Sequence, residues 1–442
     1  MNLEKIAHLL GCPDTGAITI SGVTIDSRTI QPGNLFVAIR GERFDGHDFI
    51  AEVGKKGAVA VICEKACNNV AIPQFVVAST LDALAKLAVY HRQTITCPVI
   101  AITGSNGKTT VKEMIHCILP KPAHKTPGNL NNHIGVPLSV MALNPSSRYA
   151  VFELGANHAG EIAYTVDMVK PEVTLINNIA PAHLEGFGSV EGVARAKGEI
   201  HQGLALGGTA VINDDDDFSH FWDDLLLDKR VLRFSAKHPA DIYAKAIEYN
   251  EQGFASFTLK LPVGEALIHL QVPGEHAVCN ALAAAACCFA VGIEANDIAN
   301  GLMIFQGVPG RMTFLSGKNQ ALVIDDTYNA NLQSVLAAVE VLSKRQGQRI
   351  LVLGDLGELG EFTERHHEEI GRVAREKGIN RLMTCGKQSQ FSTNAFGTSA
   401  KHYPSQQKLA EDLLAYLDKN TTVLVKGSRS AAMEKVVHEL VG

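Results

Sequence analysis

At 442 residues the chain exceeds the size at which one hydrophobic core keeps growing, so two or three domains are expected. Its 46% hydrophobic and 19% charged residues are those of an ordinary globular protein, which excludes a disordered or fibrous chain. Forty basic and 46 acidic residues leave a formal charge of −6, which argues against a nucleic-acid protein but permits a locally built anion site.

The first residues, MNLEKIAHLLG, lack the layout of a signal peptide. Nine cysteines, without paired zinc-ribbon spacing, point to a reducing, cytoplasmic home. Residues 1 to about 80 alternate short apolar runs with turn signals (ITISGVTIDSR, NLFVAIRGERFDG, AVAVIC, FVVAS), which predicts a small α/β domain. The helical spacing of TLDALAKLAVYHRQ, Thr80 to Gln93, predicts a linking helix.

PVIAITG then reads as a buried strand running into a Gly-rich loop and the helix VKEMIHCIL. In TGSNGKTT (103–110) the glycines let backbone N–H groups face a phosphate, with the helix dipole behind them. Lys108 suits the outer phosphates, and Thr109 offers a hydroxyl to Mg²⁺. Only two residues separate the glycines, where the common P-loop has four, which points away from generic kinases and GTPases.

YAVFELG, VTLINNIA and TAVIN continue the strand rhythm, with a helix near Val190 to Leu206. They predict a parallel, helix-covered sheet. Glu153, at the end of a buried strand, suits hard Mg²⁺. The run Asp214 to Asp217 reads as a solvated turn, and the apolar stretch Ala281 to Val291 is too short to span a bilayer. From about Leu315, ALVIDD, RILVLGD, RLMTCG and TVLVKGS predict four strands of a doubly wound domain. The glycines of Gly354-Asp-Leu-Gly-Glu-Leu-Gly360 do not fit the dinucleotide fingerprint, so NAD binding is rejected.

The short loop TGSNGKTT resembles that of the Mur ligases. The resemblance extends to KTPGNLNNHIGVPL (125–138), ELGA (153–156), NIAPAHLEG (178–186), AKGEI (196–200), PGEH (273–276) with NALAA (280–284), and GRM (310–312). DDTYNAN (325–331), LGDLGELG (353–360) and KGSR (426–429) resemble the member of that family that adds a dipeptide. Leu332 stands where that pattern has proline, and Met312 where sister enzymes often carry an acidic residue.

The resemblance implies an α/β fold of three domains: an N-terminal UDP-substrate-binding domain (1–80), a central P-loop ATPase-type parallel sheet (81–312) and a C-terminal Rossmann-like domain (313–442). It implies an ATP-dependent, Mg²⁺-requiring amide ligase, cytoplasmic and monomeric, that joins D-alanyl-D-alanine to UDP-N-acetylmuramoyl-tripeptide through an acyl phosphate. Lys108, Glu153, His183 and Lys197 are then the catalytic set, with Thr109, Glu153, His183 and a carbamylated Lys197 at the metal. Gly104, Ser105, Asn106, Gly107, Lys108, Thr109 and Thr110 hold ATP from one side. Asn280, Arg311, Asp326 and Asn329 hold it from the other. Ser27, Arg28, Asp45, Gly46, His47, Thr126, Asn129, Asn132 and Tyr328 take the substrates.

Residue type alone gives blander readings for some of these. A lone histidine such as His183 is usually structural, and nitrogen is not magnesium's preferred ligand. Lys197 reads as a solvated helix lysine, Asp45-Gly46 as a common turn, and Tyr328 equally as part of a polar turn. Competing functions are a nucleotide switch without synthesis, or a sister ligase that adds one amino acid or extends folate with glutamate. The α/β domains on both flanks favour the ligase, and DDTYNAN favours the dipeptide.

Overall fold

The computed structural model describes residues 1–41, 44–68 and 70–441. Glu42 and Arg43, in the predicted run NLFVAIRGERFDG, lie outside the described residues. Among the described residues there are three separate sheets, of four, nine and six strands.

The first sheet has four parallel strands in chain order: β1 (Gly22–Thr24), β2 (Asn34–Val37), β3 (Ala60–Cys63) and β4 (Gln74–Val76). The linking helix runs from Thr80 to Gln93, started by the Ser79 side chain, which accepts from the Asp82 N–H at 3.1 Å. Leu84 and Leu87 of this helix pack into the first sheet's core, and Ala88 packs into that of the second sheet. Its last turn is anchored by buried Arg92, which donates to the carbonyls of Val169 (2.7 Å), Ile95 (2.9 Å) and Lys170 (3.0 Å). The first two sheets are therefore joined by a packed helix with its own polar anchor.

The second sheet contains β5 (Val99–Thr103), β6 (Ala123–Lys125), β7 (Tyr149–Glu153), β8 (Val173–Ile176), β9 (Thr209–Asn213), β10 (Arg230–Ser235), β11 (Ile242–Tyr249), β12 (Phe254–Lys260) and β13 (Glu265–Pro273). Their order is β13-β12-β11-β10-β9-β8-β5-β7-β6. The strands from β11 to β6 are parallel, as expected for a helix-covered sheet, but β12 and β13 are antiparallel. The parallel strands foreseen from YAVFELG, VTLINNIA and TAVIN are β7, β8 and β9, and β12 and β13 extend their sheet antiparallel. The alternating burial of Phe254 to Lys260 is the period-two signature of a strand covered on one face. The inward Phe257, Leu259, Ile268 and Leu270 meet the helix Glu275–Ala290, which is apolar nearly all round because it is buried nearly all round. No helix among the described residues is long and apolar enough to cross a membrane.

Two local expectations are corrected. The helix foreseen to Leu206 runs from Val190 to Gly198 and then tightens into a 3₁₀ turn, Glu199–Gly203. The run Asp214 to Asp217 is not merely solvated. Asp214 accepts from Arg233 (2.8 Å), Asp215 from Ser235 Oγ (2.6 Å) and Asp216 from the Ile179 N–H (2.8 Å), so these carboxylates tie β9 to its neighbours.

The third sheet contains β14 (Thr313–Ser316), β15 (Leu322–Asp326), β16 (Gln348–Gly354), β17 (Arg381–Cys385), β18 (Ala400–Tyr403) and β19 (Thr421–Lys426). Its order is β14-β15-β19-β16-β17-β18, parallel except for β14. The four foreseen strands are its centre, and the two additional ones are its short edges. After β16, the Asp355 carboxylate accepts from the N–H groups of Lys387, Gln388 and Ser389 at 2.8–2.9 Å. An internal anion thus fills the kind of backbone nest that takes a phosphate in dinucleotide-binding folds.

Packing in the second sheet's layer is close enough to test. Gly301 lies in the helix Ala295–Met303, and a Cβ there would sit 2.4 Å from the Ile118 Cα. Gly301→Ala is expected to destabilise the chain by about 1–3 kcal/mol through overpacking against backbone. Thermal denaturation checks this; an unchanged or raised Tm contradicts it.

Candidate functional site

β5 is wholly buried and delivers its C-terminus to the loop Gly104–Gly107. Both glycines have positive φ, 148° and 80°. At Gly107 a Cβ would lie 2.5 Å from both Asn177 Nδ2 and Asn280 Oδ1, so glycine is demanded by sterics as well as by torsion. The loop is pinned to the end of β8. The Asn106 N–H donates to Asn178 Oδ1 (2.8 Å), and the Asn106 carbonyl accepts from Asn177 Nδ2 (2.9 Å) and Asn178 Nδ2 (3.1 Å). The helix Lys108–Ile118 then opens with its first-turn N–H groups facing the cleft.

Lys108 Nζ donates to the Gly104 carbonyl at 2.6 Å. Desolvation pulls its pKa down, Glu153 opposes that, and Arg311 adds to it. Glu153 ends β7 with its side chain 3% exposed. It accepts from Thr109 Oγ1 at 2.9 Å and from Asn131 Nδ2 at 2.8 Å. Thr109 Oγ1 in turn accepts from Arg311 Nη2 at 3.0 Å, a contact that comes from the far side of the cleft.

That far side is the third sheet. Arg311 lies over the Tyr328 ring, 4.2 Å from its centroid. Asp326 accepts from Lys426 Nζ at 2.6 Å and from the Met312 N–H at 3.2 Å. Lys426 also donates to the Asn329 carbonyl at 2.9 Å. Asn331 caps the helix Leu332–Ser343 through Ser334 and donates from Nδ2 to Asn106 Oδ1 at 2.8 Å. His183 Nδ1 pairs with Glu358 across the same gap. Between the two walls lies a cavity of about 980 Å³.

The foreseen residues Ser105 to Thr110, Asn129, Asn132, Glu153, His183 and Asn280 line this cavity from the second sheet. Asp326, Tyr328 and Asn329 line it from the third, and Arg311 from the segment just before β14. Gly104 lies behind the loop. Thr126 has no exposed surface, and its hydroxyl accepts from the Glu153 N–H (2.9 Å), which places it beneath the cavity wall.

Lys197 is 2% exposed, its Nζ 6.0 Å from the Phe187 ring centroid. Burial drives its pKa well down, and the nearby Lys108 charge adds to this, so it is not a solvated lysine. Ser27, Arg28, Asp45, Gly46 and His47 belong to the first sheet's layer and do not line this cavity. Arg28 is exposed and paired with Asp26 at 2.7 Å. Asp45 holds Arg40 (2.9 Å) and His47 (2.6 Å), while His47 Nε2 accepts from the Glu64 N–H at 2.8 Å. A Cβ on Gly46 would lie 2.8 Å from the Ile39 nitrogen, so that turn also requires glycine.

Two oxygen donors, Thr109 and Glu153, stand together. This fits Mg²⁺, which keeps several waters and takes one or two carboxylates together with substrate phosphates. Asn177, Asn331 and Lys426 were not foreseen as site residues. Their shared signal was position: each follows or ends an apolar strand of a largely parallel sheet, at the edge where ligands bind.

Loss of the Lys108 ammonium removes a charge-assisted contact to phosphate. Lys108→Ala is expected to weaken ATP binding by about 10- to 100-fold with little change in Tm. Titration calorimetry reads the first and thermal denaturation the second; unchanged affinity contradicts the assignment.

The chain matches three family models: Mur ligase family, catalytic domain (residues 19–100), Mur ligase middle domain (102–288), and Mur ligase, glutamate ligase domain (310–429). It is 43% identical to the UDP-N-acetylmuramoyl-tripeptide--D-alanyl-D-alanine ligase of Escherichia coli (strain K12), over 100% of this chain and 98% of that protein. The crystal structure of MurF from Acinetobacter baumannii superposes with a TM-score of 0.92 at 36% identity, covering 100% of this chain and 98% of that one. MurF ligase from Thermotoga maritima, solved in complex with ADP, gives 0.82 at 29% identity, covering 96% and 97%. A glycine-pinned phosphate loop facing a third domain, and likeness along the whole chain, lead to one conclusion: this chain belongs to the Mur ligase family.

Proposed function

We propose that this chain joins D-alanyl-D-alanine to UDP-N-acetylmuramoyl-tripeptide at the expense of ATP, forming the UDP-linked pentapeptide of peptidoglycan synthesis. The observation that carries this reading is the cavity itself. It faces a phosphate loop and Glu153 on one wall with Asp326, Asn329 and Lys426 on the other. Its chain-length relative from Escherichia coli bears that activity in its name.

The acceptor carboxylate attacks the γ-phosphorus of ATP; a new O–P bond forms and the bond to the β,γ-bridging oxygen breaks, releasing ADP. The dipeptide amine then attacks the acyl carbon of the resulting acyl phosphate. A C–N bond forms, the C–O bond to phosphate breaks, and the amine loses its proton. Negative charge gathers in both steps, so positioned cations carry the catalysis. Lys108 and the N–H groups opening its helix hold the outer phosphates, and Arg311 approaches them from the segment that enters the third domain. Thr109 and Glu153 would hold Mg²⁺, which neutralises phosphate charge when bound.

Asp326, Asn329 and Asn280 hold the nucleotide, and Tyr328 lies on the substrate side. Asn129 and Asn132 face the acceptor, and Thr126 supports them from below. Arg28, with Ser27 and the Asp45-Gly46-His47 turn, takes the uridine diphosphate. We assign limits of 1–80, 81–312 and 313–442 to the three domains, supported by one sheet in each. Nine free cysteines and nucleotide substrates support work in the cytoplasm, as a monomer.

His183 lines the cavity with its Nδ1 engaged by Glu358, which orients the ring. Lys197 supplies oxygen ligands if carbamylated. Its neutral amine adds to the carbon of CO₂: an N–C bond forms, one C–O π bond breaks and one proton leaves, giving an anion whose oxygens would help hold Mg²⁺. The desolvation around Lys197 supports this, because it favours the neutral amine.

Two measurements test these assignments. D-Ala-D-Ala is expected to be incorporated about 100-fold or more faster, as kcat/KM, than L-Ala-L-Ala or free D-alanine. Equal use of a single amino acid would replace the substrate assignment by that of a sister ligase. Lys197→Ala is expected to lose about 100-fold or more in kcat and to recover part of it with added short carboxylic acids. ¹³C-bicarbonate should label the unaltered chain as a carbamate; an active, unlabelled enzyme contradicts the modification.

A further inference from the structure

A line of alternating charges runs from the surface to the carboxylate of the site. Lys125 pairs with Glu113, Glu113 lies 3.5 Å from Lys112, and Lys112 lies 3.6 Å from Glu153. Side-chain exposure falls along it, from 36% at Lys125 and 23% at Glu113 to 1% at Lys112 and 3% at Glu153. A buried ammonium is costly unless it is paired and hydrogen-bonded. Lys112 meets both demands, since its Nζ also donates to the Gly128 carbonyl at 3.0 Å.

Gly128, at φ 52°, turns the loop that carries Asn129, Asn131 and Asn132 to the cavity. That loop touches Glu153 twice. Thr126 Oγ1 accepts from the Glu153 N–H, and Asn131 Nδ2 donates to the Glu153 carboxylate. The Asn131 carbonyl accepts from the Gly155 N–H at 2.7 Å. Lys112 therefore joins three elements: the helix behind the phosphate loop, the end of β7, and the 126–132 loop. It does not line the cavity and reaches ligands only through these neighbours.

We propose that Lys112 is a positioning residue that sets the 126–132 loop for the UDP-linked acceptor, with Glu113 and Lys125 completing its charge line. This rests on the ligase reading above. A purely supporting lysine would stabilise the whole central domain, and its loss would weaken both ligands alike. A loop-setting lysine acts on the acceptor selectively, because the nucleotide is held mainly by the loop Gly104–Gly107 and by the third domain.

Calorimetry with UDP-N-acetylmuramoyl-tripeptide and, separately, with ADP distinguishes the two. Lys112→Met is expected to weaken the tripeptide by about 10- to 100-fold while shifting ADP by less than about threefold. The same variant should raise KM for the tripeptide more than it lowers kcat. Glu113→Gln sits nearer the surface, and it carries the test if Lys112→Met does not fold. It is expected to weaken the tripeptide by about three- to tenfold, again sparing ADP. Equal losses for both ligands, or none for the tripeptide, would overturn the proposal. Failure of the underlying reading has a different signature, since the unaltered chain would then not bind the tripeptide, and the proposal would fall with it.

Discussion

Gly107 has a carboxamide on two sides, from Asn177 and Asn280, each 2.5 Å from where a Cβ would be. Those two side chains also bond to each other, Asn177 Nδ2 donating to Asn280 Oδ1 at 2.9 Å. The phosphate loop is thereby fixed between the end of β8 and the buried helix Glu275–Ala290. Asn280 is the polar interruption in that helix, at 6% exposure among buried alanines. Because the loop cannot shift, the helix it opens cannot either, and Lys108 and Thr109 are delivered to fixed points. Arg311, from the segment that enters the third domain, and Asn331, from the third domain itself, reach across to those points. A side chain at Gly107 would therefore disturb the loop, the helix behind it and the docking of the third domain together.

The same loop explains the electrostatics. Arg311 acts on Lys108 as a like charge that Glu153 opposes, and Lys108 acts on Lys197 as a like charge. Burial lowers the pKa of both lysines, so the protein alone does not balance this end of the cleft. Anionic phosphates entering it would gain from unpaired N–H groups and cations at once. The third sheet behaves in the opposite way. There Asp355 already satisfies the backbone nest of Lys387, Gln388 and Ser389, and Asp326 is matched by Lys426. One domain is left with a demand for negative charge, and the other supplies its own.

How far the sequence could be read follows from the range of each interaction. The helix Thr80–Gln93 and the strand–loop–helix around Lys108 are set by apolar periodicity and local turn chemistry, and both were legible. β11 to β13 were not foreseen: β12 alternates cleanly, but β11 has no clean period and these strands extend the sheet beyond its buried, continuously apolar centre. The contacts that assemble the site were less legible still. Asn106–Asn331 and His183–Glu358 join residues 225 and 175 positions apart. No local pattern encodes which asparagine meets which. Resemblance brought Asn280, Arg311 and Asp326 to the cavity, whereas Lys426 in KGSR and Asn331 in DDTYNAN carried no expected role. Lys197 is the reverse case, since residue type predicted a solvated lysine and the fold buries it.

The contacts between the second and third sheets differ with their distance from the chain crossing. Near the crossing, Phe254 packs against Phe314 with centroids 6.0 Å apart, and the Arg345 guanidinium lies 5.6 Å from the Phe314 centroid. Across the cavity the contacts are polar instead: Thr109 with Arg311, Asn106 with Asn331, His183 with Glu358. Apolar contacts lose stability when parted, while polar groups facing a wet cleft exchange protein partners for water or ligand at small net cost. His183 and Glu358 also both adopt positive φ, at 52° and 59°, a conformation that side chains larger than glycine seldom take. Local strain of this kind is held only where surrounding contacts enforce it. The aromatic contact at the crossing is thus the costlier one to part, and the polar contacts across the mouth are those that ligand atoms can replace.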